Sequence, residues 1–559
     1  MWKYADYLIS IKMKARYIYL TAASILSLSS CEEMELAPEG STLTATQKSE
    51  VYGNDASKSF SAVSGAYMSM SARMPNEEDI NERHNDFGYP SVMLMTDANG
   101  EDMVNTDNGY NWFSFEIDFQ DRSQDAYLSR MIWSDLYRYI FSANAIVASI
   151  DPAAEDKDLK FNLAQGLALR AFSYFQLAQL YQFNIVGHET SPCVPLITEE
   201  NADAAAQDGA PRATVREVYD RIYSDIDEAI RLLSEAQEAG ASRPDKRYVD
   251  LATAYGIRAR VNLVAREWAA AASDAQAAID NAAGVAPASI SDVAKPTFSS
   301  VDEPNWMWGI IVEETDDVAT SGIVNWPSHI GSLNYGYANY SSGMKISKKL
   351  FESISDTDVR KGWWLDEDGV SANLTDAMQE AWVKYAEATI SQYYDAYTNV
   401  KFGPDKGIIA NDCNANDIPL MRIEEMYLIK AEGLALSGGD GLSVLNSFIQ
   451  TYRDPQYSFS GADIQTEIWR QRRIELWGEG MSWFDLMRYG VGIDRRNCGF
   501  QSAYVYVMAG NDANLLWPIP YVEINANPAL STSDQNPSGG SPSPVRDSLA
   551  SVHDEKVSL

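Results

Sequence analysis

The sequence predicts a mainly α-helical fold: tetratricopeptide-like helical hairpins form a scaffold, joined to a large irregular loop-rich region with few short strands. Three observations predict it. Apolar residues recur at helical spacing from Trp133 to Ile279 and again after Ile423; the helical segments come as consecutive pairs; and between them, from about 284 to 420, periodicity fades into Gly-, Asn-, Ser-, Trp- and Tyr-rich chain.

The N-terminus comes first. Lys12, Lys14 and Arg16 precede the apolar run Tyr17–Leu28, too short to span a bilayer, so residues 1–30 read as an export signal. Met13 would give a more compact signal, leaving the start as either Met1 or Met13. Leu28-Ser29-Ser30-Cys31 resembles a bacterial lipobox, with lipidation expected on Cys31. Several acyl chains on one residue make a lasting anchor, because each buried methylene adds ~0.8 kcal/mol. The acidic Glu32, Glu33 and Glu35 resemble a surface-export signal, and residues 31–55, polar with Pro38 and Gly40, suit a lipidated tether.

An N-terminal helical-repeat half is expected over 56–283. Trp133, Leu136, Tyr137 and Ile140 fall on one helical face, and Leu163, Leu167, Ala171, Tyr174 and Leu177 on another. Thr214-Val-Arg-Glu217 is a capping box ahead of the stripe Tyr219, Ile222, Tyr223, Ile226, Ile230 and Leu233, with a stop at Gly240. A further pair runs Leu251–Leu263 and Trp268–Ile279, where Ala269–Ala272 permits close helix packing. The loop-rich 284–420 is read as ligand-facing, since long irregular stretches in compact proteins usually carry function. Helices return at Ile423–Leu436 and Ile468–Trp477 within a C-terminal helical part, 421–530, of the same domain; 531–559 reads as a flexible tail.

Charge excludes one class of partner. Lys plus Arg number 44 against 79 Asp plus Glu, a net charge of −35, which repels DNA and RNA. Beyond Cys31 the cysteines are Cys193, Cys413 and Cys498, an odd number without metal-ligand spacing, so neither a disulfide framework nor a metal or other cofactor is expected.

Three motifs stand in order along the chain: Leu169-Arg170-Ala171-x-x-Tyr174-Phe175, then Arg472-Arg473-Ile474-Glu475-Leu476-x-x-Glu479-Gly480-x-x-Trp483-Phe484-Asp485-Leu486-Met487-Arg488, then Trp517-Pro518-Ile519-Pro520 followed by Asn527-Pro528. In these motifs the chain resembles the SusD/RagB family of outer-membrane nutrient-binding lipoproteins. The resemblance implies a surface protein that captures oligosaccharide and delivers it to a SusC-like TonB-dependent transporter. Arg472, Arg473, Glu475, Asp485 and Arg488 stand among aromatics and are read as ion pairs fixing helices and loops rather than as a ligand site.

Sugars need aromatic faces for C–H surfaces and carboxylates or amides for hydroxyls. Two segments combine these: Asp97, Asn99, Glu101 and Trp112, expected on a loop between early helices, and Trp326, Asn334, Tyr335, Tyr337 and Tyr340, with Trp306 or Trp308 as further candidates, whose glycine neighbours suggest exposure. Asp97, Asn99 and Glu101 also have calcium-loop spacing, but Asp102 and Asn108 stand where such a loop needs Gly and Glu, which rules out an EF-hand and leaves an incidental hard-cation site open. The four histidines, His84, His188, His329 and His553, lie in no nucleophilic motif, and no G-x-S-x-G or H-E-x-x-H occurs, so no enzyme is expected. Peptide capture, and a surface glycoside hydrolase, are the alternatives.

Overall fold

The computed structural model describes residues 55–74, 84–105, 112–320, 323–331, 333–334, 343–381, 396–411, 413–537 and 542–547. The signal, Cys31, the tether to residue 54, and Tyr335, Tyr337 and Tyr340 lie outside these residues.

Helix α1 (Ala56–Met68) starts where the Asp55 carboxylate accepts from the Ser57 and Lys58 amides. Helix α2 (Tyr89–Asn99) carries Pro90 in its first turn, where a missing N–H costs no bond. Two long helices follow, α3 (Tyr127–Ser149) and α4 (Lys157–Tyr181). Every residue of α4 from Phe161 to Tyr181 is buried, because its Ala, Leu, Phe and Tyr side chains run around the whole circumference. It lies between α3 and α5 (Val215–Glu238). The charge on α4 is matched inside: Arg170 donates to both oxygens of Asp225 on α5, at 2.7 and 2.8 Å.

The expected capping box opens α5. The Thr214 amide donates to Glu217 Oε2 at 2.8 Å, and the Glu217 amide donates to Thr214 Oγ1 at 3.2 Å. The helix ends just before Gly240, whose φ of 86° lies in the left-handed region. Helices α6 (Leu251–Val264) and α7 (Trp268–Asn281) continue the stack, each packed on its predecessor.

After α7 the chain leaves the stack, and re-enters at α8 (Ile423–Leu436), which packs directly on α7. A Cβ at Gly433 would stand 2.5 Å from the Trp268 carbonyl and 2.8 Å from the Ala272 amide, so the small-residue run on α7 and this glycine together set the approach. Helix α9 (Gly441–Tyr452) packs on α8, as does α10 (Ile464–Glu475). The last of these starts earlier than its apolar pattern suggests, because Asp463 caps it through the Thr466 amide, and Trp477 falls in the turn beyond. Helix α11 (Ser482–Tyr489) follows and packs on α2.

Strands are short. β1 (Met103–Val104) pairs antiparallel with β3 (Lys345–Ile346). β2 (Trp306–Ile310) pairs with β4 (Ile418–Arg422), Trp306 opposite Arg422 and Ile310 opposite Ile418, tying the departure of the irregular region to its return.

A buried charge cluster joins that region to the C-terminal helices. Glu475 at the end of α10 accepts from Arg453 at 2.8 Å, Arg422 at 3.0 Å and Arg360 at 3.2 Å. Arg422 and Lys401 both reach Glu479 at 2.7 Å. Arg472 and Arg488 share Asp485, at 2.8 and 2.6 Å, and Arg488 continues to Glu432 at 2.7 Å. Burial alone would raise the Glu475 carboxyl, but the three guanidiniums hold it well below the usual carboxylate range. Arg472, Glu475, Asp485 and Arg488, read from the sequence as ion pairs that fix helices and loops, make such pairs here. Replacing Glu475 by Ala leaves buried guanidiniums uncompensated and is expected to cost about 3–5 kcal/mol in urea-induced unfolding, measured as a drop in the transition midpoint.

Candidate functional site

The structure brings the two candidate segments together and turns most of their polar groups inward. Asp97 and Asn99 are the last turn of α2 rather than a loop, and both are buried. The Asp97 carboxylate accepts from the Gly480 amide at 3.0 Å and the Ser482 amide at 3.3 Å. Asn99 donates to the Glu116 carbonyl at 2.9 Å and accepts from Arg122 at 2.9 Å. Glu101 accepts from Arg473 at 2.7 Å and the Asp494 amide at 2.8 Å, while Asp102 takes the same guanidinium and the Ser482 hydroxyl. The expectation of solvent-facing acceptors on a loop is corrected here: donors mostly from the C-terminal part of the chain occupy these oxygens and draw the segment into the core.

Trp326 is also interior. It opens a short helix, Trp326–Ile330, and packs edge-on against Phe402 with ring centroids 4.7 Å apart. The exposure suggested by neighbouring glycines is not observed for it, because its ring fills the space beneath the returning chain at Phe402. Trp306 and Trp308 lie buried on β2, the latter donating its indole N–H to the Arg247 carbonyl at 2.9 Å. Asn334 is buried, and among the described residues neither atom of its amide has a hydrogen-bond partner.

Trp112 differs from these. It is half-buried, and its ring lies on His84 with centroids 4.7 Å apart and planes at 49°. The Asn85 side chain donates to the Trp112 carbonyl at 3.1 Å and fixes the loop. Beneath, His329 from the Trp326–Ile330 helix holds the His84 carbonyl at 3.0 Å, stacks on Phe87 at 5.7 Å and meets Phe113 edge-on at 5.0 Å. Burial drives the His329 imidazole down to about 3, so it stays neutral, and its Nε2 carries the hydrogen that the carbonyl accepts. An aromatic platform thus sits where the early segment and the 326–334 segment meet.

Arg73 lies close enough for its charge, after burial, to help lower the His84 pKa. It also lines a neighbouring cavity of about 320 Å³ with Arg247, Glu313, Asp316 and Met68. Guanidinium and carboxylate groups around an open cavity, beside a partly exposed indole, form a donor and acceptor set suited to a polyhydroxylated ligand. Arg73, His84 and Arg247 were missed by sequence reasoning; their only signal was charge or imidazole next to short loops, shared with many surface positions.

Comparison with known proteins decides the lineage. A family model described as starch-binding associating with outer membrane matches residues 75–263, and the SusD family model matches residues 332–538. The chain belongs to the SusD/RagB family. A SusD-like protein of Formosa agariphila is 22% identical over 438 residues, covering 71% of this chain and 78% of the relative. Among solved structures, a SusD-like carbohydrate binding protein from Bacteroides vulgatus aligns at a TM-score of 0.67 with 23% identity, covering 87% of this chain and 99% of that one. Surface glycan-binding protein A from Bacteroides thetaiotaomicron, in complex with laminarihexaose, aligns at 0.58 with 18% identity over 86% and 99% of the two chains. The SusD scaffold accounts for the tetratricopeptide-like stack that the sequence predicts.

Asp97 gives a pH test of how the early segment is anchored in this SusD-like fold. Burial raises its carboxyl to about 7, against an ordinary 3.8, although the two backbone amides oppose the shift. The folded state therefore holds a proton there that the unfolded chain releases between about pH 4 and 7, and stability from this group is lost as pH rises through 7. Chemical denaturation from pH 5 to 8 is expected to show a falling midpoint in the natural protein and a flatter profile in Asp97→Asn.

Proposed function

We propose that this protein is a cell-surface lipoprotein, anchored through Cys31, that captures oligosaccharide and delivers it to a SusC-like TonB-dependent transporter in the outer membrane. The observation that carries the capture role is the Trp112 platform on His84, beside the cavity holding Arg73, Arg247 and Glu313. A half-exposed indole offers a flat face to the C–H side of a pyranose, while guanidinium and carboxylate groups meet its hydroxyls. The laminarihexaose bound by a protein of like fold supports glycan as the cargo.

Asn334 is buried against Gly331, in the segment that follows His329. Asp97, Asn99, Glu101 and Trp326 then act as supports behind the site, with Tyr335 and Tyr337 remaining candidates for its rim. The lipid anchor confines the protein beside its transporter, where high local concentration compensates for weak affinity at a single site, and the protein closes over the channel as a lid. Retention of tagged protein with a TonB-dependent transporter through membrane solubilisation tests the delivery step; purification without any such transporter overturns it.

Calorimetry with neutral oligosaccharides, laminarihexaose among them, separates platform from support. Trp112→Ala is expected to weaken binding at least tenfold with an unchanged melting temperature. Trp326→Ala is expected to lower stability by about 3–5 kcal/mol, the usual cost of emptying a buried tryptophan site. Recovery of shortened sugars after incubation identifies a hydrolase instead, and tighter binding of cationic peptides than of any sugar identifies a peptide importer.

A further inference from the structure

The cavity of about 320 Å³ beside the Trp112 platform holds a positive charge that the fold leaves unmatched. Its walls come from Met68 at the end of α1, the 3₁₀ turn Ser69–Ser71 with Ala72 and Arg73, the turn at Arg247, and the chain between Ile311 and Val318. Two of these walls are held from behind. Arg138 on α3 donates to the carbonyls of Ser69, Ala72 and Arg73 at 3.1, 3.1 and 3.2 Å, and the Trp308 indole donates to the Arg247 carbonyl at 2.9 Å.

Interior guanidiniums elsewhere meet carboxylates directly. Arg170 reaches Asp225, Arg360 reaches Asp358 and Arg488 reaches Glu432, each at 2.7 Å. Arg247 has no such bond. Its side chain is 13% exposed, yet among the described residues its guanidinium donates no hydrogen bond. Its ion-pair contact is Glu313, 3.9 Å from a terminal nitrogen and beyond hydrogen-bond range, on a side chain 64% exposed. The Nε of Arg247 is sealed in the interior; the two terminal nitrogens are not, and the residue lines the cavity. A guanidinium stripped of most of its water and left without a partner calls for an acceptor from outside the chain.

The carboxylates in the same walls do not supply it. Asp316 has one oxygen taken by the Glu313 amide at 2.9 Å, and Glu313 and Asp317 are exposed, where water and salt screen their charge. Contact at the half-buried fork therefore decides which ligand is favoured. A carboxylate or a sulfate accepts two parallel N–H bonds with charge on both partners, whereas a sugar hydroxyl accepts with charge on one side alone. The two parts of the site then divide the work: the Trp112 ring takes the C–H face of a pyranose, and Arg247 takes a group standing off a ring.

We propose that the glycan taken at this cavity carries an acidic substituent, a carboxylate or a sulfate, and that Arg247 is the residue that selects it. The inference rests on the reading of the Trp112 site as a glycan site and names the class of glycan. The test is calorimetry on the purified chain with laminarihexaose, a sulfated laminarihexaose and a galacturonate hexamer. One acidic hexamer is expected to bind at least tenfold more tightly than laminarihexaose, its identity separating sulfate from carboxylate, and to lose that advantage as salt is added. Arg247→Gln is expected to weaken the acidic hexamer at least tenfold more than it weakens laminarihexaose, with an unchanged melting temperature, and Arg247→Lys, which keeps the charge without the fork, to fall between. Glu313→Gln, at an exposed side chain, is expected to tighten the acidic hexamer by removing the competing carboxylate. Laminarihexaose binding as tightly as both acidic hexamers, equal losses of acidic and neutral sugar in Arg247→Gln, or an unchanged or weaker acidic hexamer in Glu313→Gln overturns the inference and leaves the Trp112 site standing. Loss of the acidic hexamer in Arg247→Gln, with every sugar still bound by Trp112→Ala, supports the inference and removes the platform from the site; failure of every sugar to bind overturns both readings.

Discussion

One carboxylate, that of Glu475, governs how the two halves of the architecture meet. Its three guanidinium partners come from different places: Arg360 from the irregular region, Arg422 from the end of β4, and Arg453 from the end of α9. With Lys401, these four cations face four anions, Asp358, Glu424, Glu475 and Glu479, so the buried cluster is neutral as a set. Neutrality, together with the many hydrogen bonds between these groups, is what makes burial of so much charge tolerable. A region with little regular secondary structure gains a fixed frame in this way, by ion pairs whose geometry admits few alternatives, where an apolar contact would allow sliding. Aromatic rings enclose the cluster, with Lys401 4.9 Å from the Trp363 ring centre and Arg422 4.6 Å from that of Phe298, and keep water away from it.

The candidate site inherits this order. Glu479 belongs to the cluster, and the next residue, Gly480, donates its amide to Asp97 at the end of α2. Arg473 clamps Glu101 and Asp102 from the same helix end. From Asp102 the chain passes through β1 and on to Trp112, while Lys401 and Phe402, on the other side, set Trp326 and hence His329. The platform of Trp112 on His84 is therefore placed by groups far from it in the chain, and its partial exposure is a consequence of how deeply its neighbours are fixed.

This explains which parts of the molecule were legible in the sequence. The capping box at Thr214 and Glu217, the apolar stripe of α5, and the small residues of α7 act over a few positions, and a local pattern reveals them. The aromatic-flanked charges from Arg472 to Arg488 announced a buried network because charges rarely stand among tryptophans otherwise. Asp97, Asn99 and Glu101 misled because their own segment shows only acceptors. Their donors, Gly480, Ser482, Arg122, Arg473 and Asp494, arrive mostly from the far end of the chain, and no local spacing records such a meeting. Trp326 misled similarly, since the ring that covers it, Phe402, belongs to a later part of the irregular region. Arg360 and Lys401 likewise meet carboxylates far along the chain, Glu475 and Glu479, which no local pattern records.

The direct packing of α8 on α7 has an evolutionary meaning. The helical stack closes as if the chain between them were not there, and the strand pair β2 and β4 gathers the two ends of that chain at one seam. Loop length adds little entropic cost once the ends are held together. The intervening stretch can thus lengthen, shorten or change its lining from one descendant to another while the scaffold, and whatever docks against it, stays constant. A stretch held at one seam in this way can vary in length and composition without disturbing the helices that enclose it.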